Sequence, residues 1–464
     1  MVEGRTHKPV IQYDRCETCG VCLQACPAEV VPEMRKEEDS LRGRLFDQTD
    51  TEPRVNLSKS YGPPRCQAAC PIGQDVRGYM RLIFEGRYRE ALELIRDANP
   101  LPSVCGYVCH HPCERACTRG QVDDPLSIRS LKRFVADYDD GNLTLLERDT
   151  VKNEKVAVIG SGPSGLTAGY ELAKKGYAVE ITESYKEPGG MLAWAIPAFR
   201  LPRSVLNRDI DYIRKMGVEI RTGVCFGRDV RLEDLRKKNF HAVILATGTQ
   251  KSLKMNIQNE NGLPGTMECL SFLRRYSEGE QLSLGNRVLV VGGGNAAVDT
   301  ARSALRLGAG KVSLVYRRTL DEMPADMEEV KDAIREGIEI MVLTAPVKIL
   351  VTGGKTGGLE CVKTRLGEPD ASGRKRPIAV EGSEFELLAD TVISAVGQKQ
   401  DYSVISEGFS RANAIMQIDP EGMQTDVEGV FAAGDFVNGP TTVVEAMASG
   451  KKAARAVVEY LKDK

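Results

Sequence analysis

The run Cys16-Glu17-Thr18-Cys19-Gly20-Val21-Cys22-Leu23-Gln24-Ala25-Cys26-Pro27 carries the densest chemistry in the chain. Its spacing, C-x2-C-x2-C-x3-C-P, curls the backbone so that three thiolates face one [4Fe–4S] cube while the fourth points to another cluster. A zinc knuckle would separate its cysteines into two pairs instead. A second group opens on Cys66 and Cys70-Pro71, repeating the Cys-x3-Cys-Pro ending, and continues with Cys105, Cys109, Cys113 and Cys117, each four residues from the last. In all, 10 of the 13 cysteines fall between Cys16 and Cys117, a density that reads as cluster ligation in a reducing compartment. They suffice for at least two [4Fe–4S] clusters, with the grouping open.

Two glycine-rich loops point to dinucleotides. Gly160-Ser161-Gly162-Pro163-Ser164-Gly165 follows the apolar run Lys155–Ile159 and precedes a helical stretch over 166–175. That strand–loop–helix order lets the backbone approach a pyrophosphate and sets its charge on a helix N-terminus. A second strand over 178–182 leads to Glu183, placed where a carboxylate takes ribose hydroxyls. Gly292-Gly293-Gly294-Asn295-Ala296-Ala297 repeats the pattern as GxGxxA, after the strand 287–291 and before a helix over 298–307. The next strand ends in Arg317-Arg318 where an NAD site would present an acid. Guanidinium groups there suit a 2′-phosphate, favouring NADP(H) over NAD(H).

The chain that must position these groups has 464 residues, enough for about three domains. It is 42% hydrophobic and 28% charged, so it can bury sizeable cores. Sixty-three basic side chains against 65 acidic ones leave a net charge of −2, which argues against a nucleic-acid binder. No apolar run suits a signal peptide or a membrane span, so the cytoplasm is expected. Residues 33–60 read as a charged linker. Tyr79, Leu82, Ile83, Ala91, Leu94 and Ile95 recur at helical spacing over 76–97, with a break expected at Glu85-Gly86-Arg87.

The stretch from Cys66 to Asp137 resembles the cluster domain of the glutamate synthase small (β) subunit family, which recurs in dihydropyrimidine dehydrogenase and in NAD(P)H:ferredoxin transhydrogenases. Asn99-Pro100-Leu101-Pro102, Cys105-Gly106-Tyr107-Val108-Cys109, Pro112-Cys113-Glu114 and Leu131-Lys132-Arg133-Phe134 carry it, and the likeness runs on to about Tyr460. The resemblance implies one cluster on Cys70, Cys105, Cys109 and Cys113, and another on Cys66 and Cys117. The latter is short of two thiolates, because the family's first two cysteine positions fall on Ser58 and Tyr61. It also implies FAD at the first loop, with Gly190, Met191 and Leu192 as a second contact. Gly434-Asp435 would reach the ribityl or pyrophosphate side, and Thr442-Val443 would open a helix toward the flavin ring. Thr247-Gly248 and Gly397 resemble the hinges by which the chain leaves and re-enters the flavin domain.

The expected fold is α/β: two Rossmann-like domains, the nicotinamide domain inserted in a split FAD domain, preceded by an α-helical iron–sulfur domain and a short ferredoxin-like segment. The expected boundaries are 1–60, 61–150, 151–284, 285–390 and 391–464. The flavin and nicotinamide regions hold no C-x2-C, which disfavours a disulfide oxidoreductase. Cys225, Cys269 and Cys361 read as packing residues, and His110 and His111 as neighbours of a cluster. The expectation is a subunit that moves a hydride between NAD(P)(H) and FAD and single electrons between FAD and [4Fe–4S] clusters. Its partner would be a glutamate synthase-like or 2-oxo-acid:acceptor oxidoreductase core. The alternatives are a stand-alone NAD(P)H:ferredoxin oxidoreductase, including a bifurcating one, and an assembly subunit without nicotinamide turnover. No side chain is assigned as catalytic.

Overall fold

A computed structural model of the chain describes residues 63–138, 145–260, 262–370, 373–404, 411–412, 415–416, 418–419 and 422–462. Cys16, Cys19, Cys22 and Cys26 lie outside them. The chain divides into two units, the second beginning at Leu145. No described helix is long and apolar enough to cross a membrane.

The first unit is helical. The expected break at Gly86 divides helix Val76–Phe84 from helix Tyr88–Ala98, and Gly86 takes φ +74°, where a side chain would be strained. The Asp75 carboxylate caps the first of these helices by accepting from Gly78 N–H at 2.9 Å. Val76, Tyr79, Ala91, Leu92 and Ile95 face a common core with Ile128 and Val135 of helix Ile128–Asp137. Helix Pro102–Val108 packs closely on that last helix: a Cβ on Gly106 would meet Arg133 Cα at 2.8 Å.

The second unit is built on two parallel sheets. The first has the order Val430–Ala432, Phe240–Leu245, Lys155–Ile159, Ala178–Thr182, Val218–Arg221. From Lys155–Ile159 the chain winds to one side and later returns on the other. The end of that strand is therefore a topological switch point, the place where such sheets bind ligands. The second sheet has the order Thr266–Glu268, Thr391–Ser394, Arg287–Val291, Lys311–Val315, Glu339–Met341, with the same switch after Arg287–Val291. This sheet exceeds the expected 285–390 segment on both sides. Thr391–Ser394 pairs in parallel with both Arg287–Val291 and Thr266–Glu268, and Phe272 and Leu273 of helix Cys269–Ser277 enter the same core.

The chain crosses between the sheets twice, through Lys251–Ser252 outward and Gln398–Lys399 back, and these two short strands pair antiparallel. An antiparallel sheet over Thr344–Thr352, Lys355–Pro369, Lys375–Ala379 and Phe385–Leu388 is appended to the second parallel sheet. Sequence reading missed it. The signal was Gly353-Gly354, both at positive φ in the turn between its first two strands.

Helix Asn295–Arg306 is clamped on the second sheet by charge. Arg302 is 8% exposed; it pairs with Glu329 and, at 2.7 Å, with Glu336. Arg306 reaches Glu336 at 2.8 Å. Hydrogen bonds from Arg306 and then Arg302 lower the Glu336 pKa to about 2. A depressed acid contributes stability above its unfolded pKa and loses it as pH falls through the folded value. Glu336→Gln should therefore lower the melting temperature near neutrality. Its deficit relative to wild type should shrink as pH is taken from about 5 to about 3, as followed by thermal melts.

Candidate functional site

At the first switch point the backbone is compressed beyond what a side chain allows. A Cβ on Gly165 would lie 1.9 Å from Gly160 O, and one on Gly160 (φ +104°) would lie 2.5 Å from Ala246 O. Gly162 caps helix Pro163–Lys174 with open space beside its Cα. Chain-distant glycines close around this loop. A Cβ on Gly190 would meet Gly162 Cα at 2.9 Å, one on Gly434 would meet Ser164 Cβ at 2.7 Å, and one on Gly450 would meet Ser164 O at 2.1 Å. Ser164 Oγ and Thr247 Oγ1 are buried without a hydrogen-bond partner. A narrow cradle with open N–H groups at a helix start and orphaned hydroxyls fits the diphosphate of FAD.

Glu183, 3% exposed, turns toward the loop rather than outward. Its Oε2 accepts from Ser161 N–H at 2.9 Å and Ser161 Oγ at 2.6 Å, and its Oε1 accepts from Tyr185 N–H at 2.9 Å. The carboxylate thus holds the glycine loop in shape. Met191 and Leu192 begin the short helix Met191–Trp194 that follows Gly190. Asp435 Oδ1 accepts from Thr441 N–H and Oγ1 at 3.1 and 2.6 Å, and burial pushes its carboxyl up to about 6. Thr442 and Glu445 form a reciprocal cap at the start of helix Val443–Lys462, with Thr442 N–H donating to Glu445 Oε2 at 2.8 Å.

The second loop has the same anatomy. A Cβ on Gly292 would stand 2.3 Å from Ala395 O, and Gly294 caps helix Asn295–Arg306 beside open space. A Cβ on Gly293 would strike the Tyr316 ring at 2.3 Å. Asn295 Oδ1 accepts from Asp326 N–H at 2.9 Å, and Gly293 O accepts from Ala325 N–H at 3.2 Å. The Met323-Pro324-Ala325 stretch therefore braces the loop. Ala296 follows Asn295 in the helix. A cavity of about 900 Å³ opens over the loop, lined by Gly292, Gly294, Arg317, Pro324 and Gly397 among others.

The two arginines part company here. Arg317 is exposed at the cavity. Arg318 also lines the cavity but is only 3% exposed; its Nε donates to Lys375 O at 2.7 Å and its Nη2 pairs with Asp370 at 2.6 Å. Arg318 ties the antiparallel extension to the end of strand Lys311–Val315. Thr247-Gly248 and Gly397 stand at the two crossings, where Leu253 N–H donates to Gly397 O at 2.9 Å.

In the helical unit, Cys70, Cys105, Cys109 and Cys113 are buried, while Cys66 and Cys117 are half-buried. Lys132 is 7% exposed and lies among the first four. Burial works against its charge, but Cys105, Cys109, Cys70 and Cys113 together hold its pKa above the usual value. The Cys105–Cys109 hydrogen bond pushes Cys105 well up and brings Cys109 down to about 6, while burial raises Cys113 to about 12. Burial raises the Cys66 thiol, and the neighbouring Cys117 adds to the rise. Cys105 Sγ lies 3.8 Å from Asn99 Oδ1. Asn99 Nδ2 and the Gln74 amide are fully buried without partners. Four soft ligands, a buried cation and orphaned N–H donors fit a [4Fe–4S] cube, whose sulfurs accept such bonds. His111 Nδ1 turns to Glu114 Oε2 at 2.9 Å. Cys269 and Cys361 are buried packing residues, as expected.

Comparison with known proteins agrees with this division. Residues 154–450 match the pyridine nucleotide-disulphide oxidoreductase family, and residues 60–143 match dihydropyrimidine dehydrogenase domain II, a 4Fe-4S cluster domain. The beta subunit of an NADP(+)-dependent formate dehydrogenase from Moorella thermoacetica is 43% identical over 423 residues, covering 86% of this chain and 60% of that one. The chain thus spans about 60% of the length of that relative. The glutamate synthase [NADPH] small chain of Escherichia coli is 34% identical over 442 residues, covering 90% of this chain and 92% of that one. Among solved structures, Mycobacterium tuberculosis FprA in complex with NADPH shares the fold at TM-score 0.59 and 20% identity, over 67% of this chain and 85% of that one.

If the four buried thiols hold one cube, Cys105→Ala should lower the iron content of anaerobically purified protein by about four atoms per chain. Cys361→Ala, outside the helical unit, should leave it unchanged. Iron and sulfide analysis of both variants checks this.

Proposed function

Because the chain belongs to the glutamate synthase small-chain family of pyridine nucleotide-disulphide oxidoreductases, we propose that it is the electron-transfer subunit of a larger oxidoreductase. When bound, NADPH supplies a hydride, two electrons with one proton, to FAD, which passes electrons singly to or from [4Fe–4S] clusters. The observation that carries this reading is the pair of compressed glycine loops at two switch points, on sheets joined by paired crossings.

The chain's own residues bind, orient and shield. Gly160, Gly162 and Gly165 bring helix N–H groups to the FAD diphosphate, with Pro163 starting the helix and Glu183 holding the loop. Ser164, Gly190, Gly434 and Asp435 close the cradle. Thr442 and Val443 open the last helix toward the flavin ring, a favourable place for negative charge. Gly292, Gly294, Asn295 and Ala296 seat the nicotinamide dinucleotide. Arg317 is the ligand for its 2′-phosphate, whereas Arg318 is an architectural brace. Cys70, Cys105, Cys109 and Cys113 hold one cluster. Cys66 and Cys117 belong to a second site, and Cys16, Cys19, Cys22 and Cys26 extend the relay.

The partner is a catalytic subunit that oxidises or reduces the final substrate, with this chain as its port for NADP(H). Its relatives, which include a formate dehydrogenase beta subunit and a glutamate synthase small chain, support a module used with different catalytic cores. The cytoplasm suits a chain with this many cluster-type cysteines.

The direct test is anaerobic reduction with stoichiometric NADPH, and separately NADH, while flavin absorbance and the EPR spectrum are recorded. Flavin bleaching with [4Fe–4S]⁺ signals, faster with NADPH, is the expected result; no bleaching by either nucleotide would sink the proposal. The arginine assignment has its own check. Arg317→Ala should weaken NADPH binding about 10- to 100-fold while leaving NADH binding within about twofold. Arg318→Ala should instead lower the melting temperature, because it removes the buried guanidinium that ties Lys375 O and Asp370 to the end of strand Lys311–Val315.

A further inference from the structure

The segment Ile196-Pro197-Ala198-Phe199-Arg200 follows helix Met191–Trp194, which starts at Gly190 against the first glycine loop. Its last two side chains, Phe199 and Arg200, reach the helices of the other sheet. Arg200 Nη1 donates to both oxygens of Asp299, at 3.0 and 2.8 Å, and Arg200 Nε stands 3.0 Å from Glu329. The Arg200 and Asp299 side chains are 8% and 4% exposed. The Phe199 ring lies 3.9 Å beneath the Arg306 guanidinium and 5.1 Å from that of Arg302. Asp299 sits on helix Asn295–Arg306, which opens at the second glycine loop. Nine residues of chain therefore separate Gly190, packed against one dinucleotide loop, from Arg200, paired beside the other.

An exposed ion pair would contribute little to such a join. This pair is desolvated and backed by a cation–π stack, so breaking it leaves a buried charge. At the crossings the two paired strands are only two residues each. Other contacts between the two parts run through helix Cys269–Ser277: Ser277 Oγ donates to Trp194 O at 2.8 Å, and Arg274 lies 4.6 Å over the Tyr185 ring. Arg200 reaches the helix that carries the nicotinamide loop itself.

We propose that Arg200 is a positioning residue for hydride transfer. Its pair with Asp299, with Phe199 wedged under Arg306, sets the second sheet where a bound nicotinamide meets the flavin. The proposal rests on the NADPH-to-FAD reading above. Hydride transfer needs reacting atoms about 3–3.5 Å apart, and a misplacement of about 1 Å costs about 100-fold in rate.

The test is stopped-flow reduction of the bound FAD by NADPH in the holoprotein, comparing wild type, Arg200→Met, Arg200→Lys and the double variant Arg200→Met/Asp299→Leu. The double variant removes both charges, so it does not strand a buried carboxylate and should keep the fold. The expected result is a limiting rate about 10- to 100-fold lower in Arg200→Met and the double variant. FAD content should be normal and the half-saturating NADPH concentration within about twofold of wild type, with partial recovery in Arg200→Lys. A double variant that keeps its FAD and reduces at the wild-type rate overturns the proposal. So does loss of FAD from all three variants, which would make the role purely structural, or a rate loss matched by an equal loss of nucleotide affinity. Failure of wild type to bleach with either nucleotide strikes the underlying reading instead.

Discussion

Two helices begin where two parallel strands end, and at each junction the chain has no room for a side chain. The 1.9 Å separation at Gly165 and the 2.3 Å separation at Gly292 express one constraint: strand, turn and helix must be folded tightly enough that unpaired N–H groups face outward together. An anionic diphosphate is the natural complement of that field. Much else follows from keeping each turn tight. Glu183 is turned in to hold one, and the Met323-Pro324-Ala325 stretch is laid against the other. Gly190, Gly434 and Gly450 come from distant parts of the chain because nothing larger fits beside the first turn.

The helical unit solves a different problem, the burial of charge. Cluster thiolates are anions, and a small bundle cannot hide several of them without compensation. Lys132 supplies a full positive charge within the same core, and the buried amides of Asn99 and Gln74 have N–H groups to give. The close approach of helix Pro102–Val108 to helix Ile128–Asp137, permitted by Gly106, puts Lys132 on the packed face beside Cys105 and Cys109. Packing and electrostatics depend on the same missing side chain.

The periodic features were legible in the residues alone. Apolar runs followed at once by GxGxxG or GxGxxA can do little else, and the strands 155–159, 178–182 and 287–291 lie where they were expected. The break at Gly86 was equally readable, because only glycine adopts that φ freely. What could not be read was tertiary. Arg317 and Arg318 are adjacent and chemically identical and line the same cavity, yet one is exposed and the other is buried. The difference lies in an antiparallel extension that brings Asp370 some 50 residues along the chain to Arg318. The second sheet likewise drew strands from both sides of its expected limits, because short edge strands carry too little pattern to declare their partner. Phe199-Arg200 gave no signal: an ion pair reaching across 99 positions leaves no periodicity behind.

The antiparallel pairing of Lys251–Ser252 with Gln398–Lys399 has a consequence for how such chains diversify. Because entry and exit run side by side, everything between them is, topologically, a large loop with its two ends touching. Insertions of that kind disturb their host least. A lineage can therefore exchange or remodel the nucleotide-choosing half, changing which electron donor is accepted, while the host sheet continues to fold around its own prosthetic group. Selectivity for the donor and retention of the flavin become separately heritable traits within one polypeptide.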